Sequence, residues 1–149
     1  MQSLLGFKER RYIEELRIIT RSTALDCVID DAFDRIIYVI RKGDMGIAIG
    51  KNGANIKKLQ KILGRRVEMV EHDEEICVFV SNILKPAVVK GMSEDEEGNV
   101  YITVMTRSDL GIAIGKGGCN VEKARILIKR YFGKCIGEIR LGSEVQCEN

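Results

Sequence analysis

A glycine-rich segment of thirteen residues occurs twice in the chain, 65 positions apart. Residues 44–56 have the sequence DMGIAIGKNGANI and residues 109–121 have DLGIAIGKGGCNV, so nine of thirteen positions are identical. Each copy contains a four-residue turn with glycine at both ends and lysine second, GKNG at 50–53 and GKGG at 115–118. Glycine permits a tight turn with positive φ and leaves no side chain to hold a phosphate away. The repeat therefore predicts two binding sites for a phosphodiester backbone.

A helix is predicted directly after each turn, and it adds to the attraction of an anion. Apolar residues recur at helical spacing over 56–63 and over 121–132, and a glycine then follows as a C-cap, Gly64 in the first copy and Gly133 in the second. The N-terminus of such a helix offers unpaired N–H groups and the positive end of the helix dipole. The lysine in each turn supplies a mobile cation beside these groups.

The distribution of charge points to the same kind of partner. The formal net charge is only +2, but the windows 41–66 and 107–134 hold 15 of the 24 basic residues and 3 of the 22 acidic ones. The acidic residues collect at 68–75 and 94–97. A surface polarised in this way indicates an anionic partner.

Two other phosphate-binding motifs do not fit the repeat. Gly46, Gly50 and Lys51 are one residue short of a Walker A loop, and Asn52 stands where that loop has its magnesium-binding hydroxyl. In the second copy the same position is Gly117. The dinucleotide motif GxGxxG is absent, so nucleotide hydrolysis has little support.

Catalytic and metal-binding roles have little support in this sequence. There is one histidine, His72, and the recurring acids Asp44 and Asp109 are interpreted as N-caps of a short helix. The recurring Asn55 and Asn120 are expected to make local hydrogen bonds in the first turn of the helix, with contact to RNA as the alternative. We therefore expect no catalytic residue and no cofactor.

Five cysteines stand at positions 27, 77, 119, 135 and 147, none of them in a CxxC pair. This spacing does not suit a structural zinc site, so no metal is expected. Buried, reduced cysteines are the simpler interpretation.

The elements around the turns also repeat and predict an α+β protein. Each half is expected to contain a helix, two strands, a short helix, the turn, a second helix and a third strand. The predicted segments are helices at 8–20 and 74–84 and strands at 24–30, 35–41, 66–70, 87–92, 99–106 and 135–141. The acidic connection SEDEEGN at 93–99 is expected to be a mobile tip. The boundary between the halves is placed near residue 72, which gives domains at 1–72 and 73–149.

The composition of the chain excludes some further classes of protein. Its 149 residues are 45% hydrophobic and 31% charged, which is typical of a folded domain. Aromatic residues make up 5% with no tryptophan, so a nucleic-acid site built on aromatic stacking is disfavoured. The longest uncharged run, 76–84, has nine residues, too short to span a membrane. With no signal-peptide pattern at the start, a cytoplasmic protein is expected.

The two segments IGKNGANI and IGKGGCNV resemble the KH-domain signature IGxxGxx[IV]. KH domains clamp about four single-stranded nucleotides, with the GxxG turn on the sugar-phosphate backbone. The order of elements is similar to the type II form, so the resemblance implies two tandem type II KH domains, each with a three-stranded sheet packed on helices. It also implies an RNA groove in each half, between the GxxG helices and the strand that follows them.

The residues that this resemblance assigns to RNA binding are the two turns and nearby cations. They are Gly50, Lys51, Asn52, Gly53, Lys57, Lys58, Arg65, Arg66, Gly115, Lys116, Gly117, Gly118, Lys123 and Lys134, with Arg125 as a further phosphate contact. Ile47, Ala54, Ile112 and Cys119 are candidates for an aliphatic groove floor or for the core beneath it.

The tandem arrangement resembles the KH region of a family of transcription elongation and termination factors, in its short archaeal form. The function that this implies is non-enzymatic binding of nascent single-stranded RNA, with RNA polymerase as a candidate second partner. Two alternatives stay open at this stage. One is an RNA-binding factor in ribosome assembly or RNA processing, and the other is a protein-interaction scaffold in which one KH unit has degenerated.

Overall fold

The structure, a computed structural model, describes residues 5–142. The contacts among these residues divide the chain into two compact units, with the division between Asp73 and Glu74. Each unit contains one three-stranded sheet and three α-helices. This architecture confirms the predicted α+β class with two sheets packed on helices.

The first unit follows the predicted order of elements. Its elements are α1 (Phe7–Thr20), β1 (Ala24–Asp30), β2 (Arg35–Ile40), α2 (Met45–Ile49), a single 3₁₀ turn (Lys51–Gly53), α3 (Ala54–Leu63) and β3 (Arg66–Glu71). The second unit repeats them as α4 (Ile76–Leu84), β4 (Val89–Glu94), β5 (Asn99–Val104), α5 (Arg107–Ile114), a 3₁₀ turn (Lys116–Gly118), α6 (Cys119–Phe132) and β6 (Cys135–Leu141).

Both sheets have the same mixed topology. The strand orders are β1-β2-β3 and β4-β5-β6; each central strand pairs antiparallel with the strand before it and parallel with the strand after it. Parallel neighbours need a crossover connection. In the first unit that connection consists of α2, the 3₁₀ turn and α3, so the glycine turn lies inside the crossover. The same holds for α5 and α6 in the second unit.

One face of each sheet packs against helices to form the core of its unit. In the first unit Ile36, Tyr38 and Ile40 of β2 lie in one cluster with Leu16 of α1 and Leu59 of α3. This cluster explains the helical apolar spacing of α1 and α3, since one face of each helix is buried.

The core of the second unit also contains an aromatic cluster. Phe79 of α4 meets Tyr131 of α6 edge-on, with ring centroids 5.5 Å apart, and Phe132 lies 6.1 Å away. These contacts fix α4 on the C-terminal half of α6, which is four residues longer than α3.

A buried arginine is the main charged feature of the first sheet. Arg35 begins β2 and has 0% of its side chain exposed. Its Nε donates to Asp30 at 2.8 Å, its Nη1 lies 3.3 Å from Glu68, and its guanidinium lies over the ring of Phe33. The charge is therefore paired on both neighbouring strands, as a buried ion requires.

Both long helices after the turns end as predicted. Gly64 follows α3 with φ +71°, and Gly133 follows α6 with φ +67°; each N–H donates to the carbonyl four residues earlier. These left-handed C-caps favour glycine because it has no Cβ.

The connection between β4 and β5 is shorter than predicted. Strand β4 extends to Glu94 and β5 begins at Asn99, so the connection consists of residues 95–98. Asp95 holds the turn, since its carboxylate accepts bonds from the backbone N–H of Glu97 and Asn99 and from the hydroxyl of Tyr101. The acidic composition of this segment predicted an exposed tip and gave no sign that Asp95 holds the turn.

The prediction of buried cysteines is wrong for two of the five. Cys27 is buried and Cys119 is half-buried, but Cys77 and Cys135 are exposed, and all four are free thiols. Cys147 lies outside the described residues. Over residues 5–142 no helix has both the length and the apolar character needed to cross a membrane.

Candidate functional site

The GxxG turn of the first unit has an unusual backbone. Gly50, Asn52 and Gly53 all have positive φ, at +78°, +56° and +74°. The N–H of Gly50 donates to the carbonyl of Gly46 at 2.9 Å, and the N–H of Gly53 donates to that of Gly50 at 3.1 Å. The sequence takes this shape because glycine, and less readily asparagine, tolerates the left-handed region.

The turn of the second unit repeats this geometry. Gly115, Gly117 and Gly118 have φ values of +78°, +65° and +84°. The corresponding backbone bonds, from Gly115 to Gly111 and from Gly118 to Gly115, measure 2.9 and 3.0 Å. The two turns therefore share a shape although their third residues differ.

The first glycine of each turn is required by close contacts as well as by φ. A Cβ on Gly50 would lie 2.8 Å from Cγ of Asn55, and one on Gly115 would lie 2.9 Å from the backbone nitrogen of Asn120. Both contacts are closer than a side chain can make. The φ and ψ of Gly50, 78° and 167°, also lie in a region that only glycine adopts readily.

The two recurring asparagines cross the turn. Nδ2 of Asn55 donates to the carbonyl of Ile47 at 2.7 Å, and Nδ2 of Asn120 donates to that of Ile112 at 2.7 Å. The sequence predicted local hydrogen bonds without naming an acceptor; the amide reaches back to the short helix before the turn.

The recurring aspartates do not act as simple N-caps. The carboxylate of Asp44 makes no capping bond and instead accepts a hydrogen bond from the backbone N–H of Thr23 at 2.9 Å. The bond from Thr23, together with Arg41, lowers the pKa of Asp44. Asp109 is the third residue of α5, where Thr106 is the N-cap of a reciprocal capping box. It also accepts from the N–H of Val88 at 3.1 Å.

Both aspartates therefore tie the short helix to the residue that precedes the first strand of their unit. The prediction missed this because α5 begins two residues before Asp109, at Arg107, and the strand partner is 21 residues away.

In the first unit most candidate cations are exposed along α3. Lys51, Lys57 and Lys58 are exposed, and so is Lys61, which sequence analysis did not select. Lys61 lies one helical turn beyond Lys57, so the 3.6-residue spacing was the signal that could have found it.

Arg65 and Arg66 lie at the end of α3 far from the turn, and both are paired with acids. Arg65 contacts Asp31 at 2.8 Å and Asp34 at 3.4 Å, and Arg66 contacts Glu68 at 3.1 Å. These two arginines are not grouped with the cations beside the turn.

The second unit offers fewer exposed cations near its turn. Lys116 is exposed, but Lys123 is only 8% exposed, so it is not a surface cation. Lys134 pairs with Glu94 at the far end of α6, and Arg125 lies 3.5 Å from Glu122. The sequence did not reveal the burial of Lys123 because a lysine at a helix position normally faces solvent.

Lys129 is an exposed cation that sequence analysis did not select. It lies one turn beyond Arg125 on α6. A shallow depression on this helix is lined by Glu122, Arg125, Ile126, Lys129 and Arg130.

None of the four residues predicted for the aliphatic floor is fully buried. The buried residues of the two short helices are Ala48 and Ala113, whereas Ile47 is 50% exposed and Ile112 is half-buried. Ala54 is exposed and Cys119 is half-buried at the starts of α3 and α6. Ile47 is therefore a surface residue beside the turn and not part of the core.

A model of the protein family described as "KH domain" matches residues 9–90 of the chain. These residues include the first turn and the whole first unit from residue 9 onward. The fold and the two GxxG turns agree with that match. The chain belongs to the KH-domain family.

Within this family the chain is similar to proteins named NusA. The "probable transcription termination protein NusA" of Halococcus morrhuae is 36% identical over 89% of this chain and 94% of its own length. The protein of the same name from Halobacterium salinarum is 38% identical over 86% of this chain and 91% of its own. A solved structure described as the crystal structure of APE1850 has a TM-score of 0.79 and 33% identity, and the match covers 93% of this chain and 100% of that one. The chain is thus of the short archaeal NusA kind.

Proposed function

We propose that the chain binds single-stranded RNA through both GxxG turns and acts on nascent transcripts as a NusA-like termination and elongation factor, with no catalytic step. The observation that carries the proposal is the duplicated turn. Two segments 65 residues apart adopt the same run of positive φ values, each with an exposed lysine at the tip and a helix of ten or more residues behind it.

The geometry of the turns suits a sugar-phosphate backbone. Lys51 and Lys116 place one cation at the tip of each turn. The residue directly before α3 and before α6 is a glycine, so it has no side chain to cover the start of the helix. A phosphate can therefore approach the N-terminal N–H groups of the helix, where the dipole is positive. Sequence-specific RNA recognition by KH domains uses this arrangement to hold the backbone while the bases lie in the groove.

The RNA-binding domains in this proposal are residues 1–72 and 73–149. The proposed contacts beside the first turn are Lys51, Asn52, Lys57, Lys58 and Lys61. Beside the second turn they are Lys116, Gly117, Arg125 and Lys129. Arg65, Arg66 and Lys134 are proposed only for the far end of a bound strand, because acids already pair with them.

We further propose that the first unit holds the RNA backbone more strongly than the second. At the position of the exposed Lys57 the second unit has Glu122, and at the position of the exposed Lys58 it has the buried Lys123. Arg125 is already engaged with Glu122. Fewer cations facing the strand means fewer counterions released on binding.

Transcription as the process, with RNA polymerase as a second partner, is proposed from family membership. The relatives that cover most of the chain are named as transcription termination proteins. A transcription assay on a purified polymerase, with and without this protein, tests that part separately.

The direct test is a fluorescence-anisotropy titration of a pool of labelled single-stranded RNAs at near-physiological salt. Lys51→Asp/Asn52→Asp and Lys116→Asp/Gly117→Asp each change the charge by the same amount at one turn. Aspartate tolerates the left-handed backbone of position 117 better than most residues. Ser81→Asp/Lys85→Asp on and just after α4 is the charge-matched control.

We expect each turn variant to weaken binding about tenfold or more, because at least one phosphate contact is lost and a repulsion replaces it. The control variant should bind as the wild type does. Binding as strong as that of the wild type in both turn variants, with both still folded, would show that the glycine turns only redirect the chain.

A further inference from the structure

Holding a GxxG turn in one conformation costs conformational entropy. Three of the four residues in each turn have positive φ, and in the second unit all three are glycine. Glycine loses more conformational freedom on ordering than any other residue. A turn of this composition therefore needs contacts from outside itself to stay fixed before a ligand arrives.

The backbone bonds of the turn do not join α2 to α3. In the first unit Gly50 bonds to Gly46 in α2, and Gly53 bonds to Gly50 within the turn. The side chain of Asn55 is different, because it stands after the turn and donates to the carbonyl of Ile47, three residues before the turn begins. This bond therefore joins α3 directly to α2 across the turn.

The closure is specific for asparagine. The acceptor is a backbone carbonyl, so the side chain must donate, which an aspartate at neutral pH cannot do. A Cβ on Gly50 would lie 2.8 Å from both Cγ and Nδ2 of Asn55, so the glycine makes room for the amide. The glycine and the asparagine are thus one structural unit.

The second unit keeps the closure although its surroundings differ. Asn120 donates to Ile112 at the same distance, 2.7 Å, and its Nδ2 lies 2.9 Å from the Cβ that Gly115 lacks. Yet Asn52 is replaced by Gly117 and Ala54 by Cys119. The bond therefore does not depend on which side chains occupy the rest of the turn.

We infer that Asn55 and Asn120 are positioning residues that hold the two GxxG turns ready for the phosphate backbone, an inference that rests on the proposed function. Each amide pre-orders its turn, so that binding does not have to supply the ordering free energy. Neither asparagine needs to touch RNA for this role.

The test compares Asn55→Ala and Asn120→Ala with Gln60→Ala in the full chain. All three changes are neutral in charge and remove one side-chain amide from α3 or α6. Gln60 is a matched control because its Oε1 accepts from the N–H of Val67, at the other end of α3 from the turn. Amide hydrogen exchange by NMR without RNA and RNA affinity as a function of salt are measured for each.

We expect Asn55→Ala to speed exchange of the Gly50 and Gly53 amides about tenfold and to weaken RNA binding about tenfold. The salt slope should stay the same, because the bound turn still contacts the same phosphates. Asn120→Ala should do the same at the second turn. Gln60→Ala should leave both glycine amides and the RNA affinity within about twofold of the wild type. If alanine unfolds a unit, Asn55→Ser gives the same comparison with a hydroxyl too short to reach Ile47.

Two results would overturn the inference. One is exchange at the turn that stays unchanged in the asparagine variants, and the other is faster exchange with no loss of RNA affinity. A wild-type chain that does not bind RNA would instead disprove the proposed function, and the exchange rates would then still decide whether the asparagines order the turns.

Discussion

At the scale of single residues, the recurring positions of the repeat have structural partners that a sequence motif does not reveal. Asp44, just before α2, and Asp109, in the first turn of α5, each accept a hydrogen bond from the N–H of the residue before the first strand of their unit. The asparagine after each turn donates to a carbonyl of the short helix. Residues that are identical in the two copies therefore include ones that hold the fold together as well as ones that could contact a ligand. The two kinds of position need separate tests.

The first test concerns the pH dependence that Asp44 contributes. The N–H of Thr23 lowers the pKa of Asp44, so this group stabilises the fold above the pKa of the unfolded chain, about 3.9. The contribution disappears as the pH falls through the lowered folded value. We expect Asp44→Asn to reduce the melting temperature at pH 6, and the difference from the wild type to shrink towards pH 3. Thermal unfolding at several pH values measures this, and a difference that grows on acidification would contradict it.

The second residue-scale prediction concerns the first glycine of the turn. Gly50→Ala should destabilise the first unit by about 2 kcal/mol, because alanine would be strained at that backbone conformation. Gly46→Ala is the control, since nothing lies within 4 Å of the added methyl and its φ is not in the left-handed region. Urea unfolding of both variants gives the comparison. Equal stabilities would mean that the turn adapts to a side chain.

At the scale of elements, the first sheet depends on a charge cluster that joins all three strands. Arg35 on β2 contacts Asp30 on β1 and Glu68 on β3. Breaking a buried pair by removing one partner leaves the other charge buried and uncompensated. The second sheet has Asn99 at the start of its central strand, where the first sheet has Arg35.

We therefore expect Arg35→Met to lower the free energy of unfolding by about 3 kcal/mol. Arg17→Met removes an ion pair of similar geometry with Glu14, but on the exposed face of α1, and should lower the free energy of unfolding far less, because water screens an exposed pair. Chemical denaturation of the two variants measures the difference. Similar losses would show that the buried cluster contributes no more than a surface pair.

The helices after the turns provide the element-scale test of unequal RNA binding. Lys57→Glu should weaken binding about tenfold and make the salt dependence shallower, whereas Glu122→Lys should strengthen it, because each change alters one cation beside a phosphate. The same titrations at several salt concentrations measure both effects. Equal losses of RNA affinity in Lys51→Asp/Asn52→Asp and Lys116→Asp/Gly117→Asp would contradict the proposed asymmetry.

At the scale of the whole molecule, two RNA-binding units on one chain should show avidity. Linking two weak sites raises the effective concentration of the second once the first is occupied. We expect an RNA long enough to reach both turns to bind at least about tenfold more tightly than a fragment of about four nucleotides. Inactivating either turn should remove most of that advantage. An affinity independent of RNA length would mean that one unit does the binding alone.

Much of the fold could be predicted because the signals are local. Helical apolar spacing, β-branched runs and the C-cap glycines Gly64 and Gly133 are each contained in a few neighbouring residues. What failed depended on contacts distant in sequence. The donor to Asp44, which is the N–H of Thr23, is set by residues that the fold brings near. The same is true of the burial of Lys123 and of the Arg35 charge. The two glycine turns have the positive φ that their sequence predicts, whereas several of the candidate cations are buried or paired with acids.

The position of each glycine turn within a parallel crossover has a consequence for the rate of folding. Strand β2 pairs with β3 at residues 31 positions apart, with Arg35 opposite Arg66, and β5 pairs with β6 over a similar separation. Such strands can meet only after the intervening chain has closed, and distant pairings of this kind slow the search for the native state. The segment that carries the turn is the loop whose closure must come first. A sequence selected to keep the turn well ordered therefore also shortens the time for which the strand edges stay unpaired and open to aggregation.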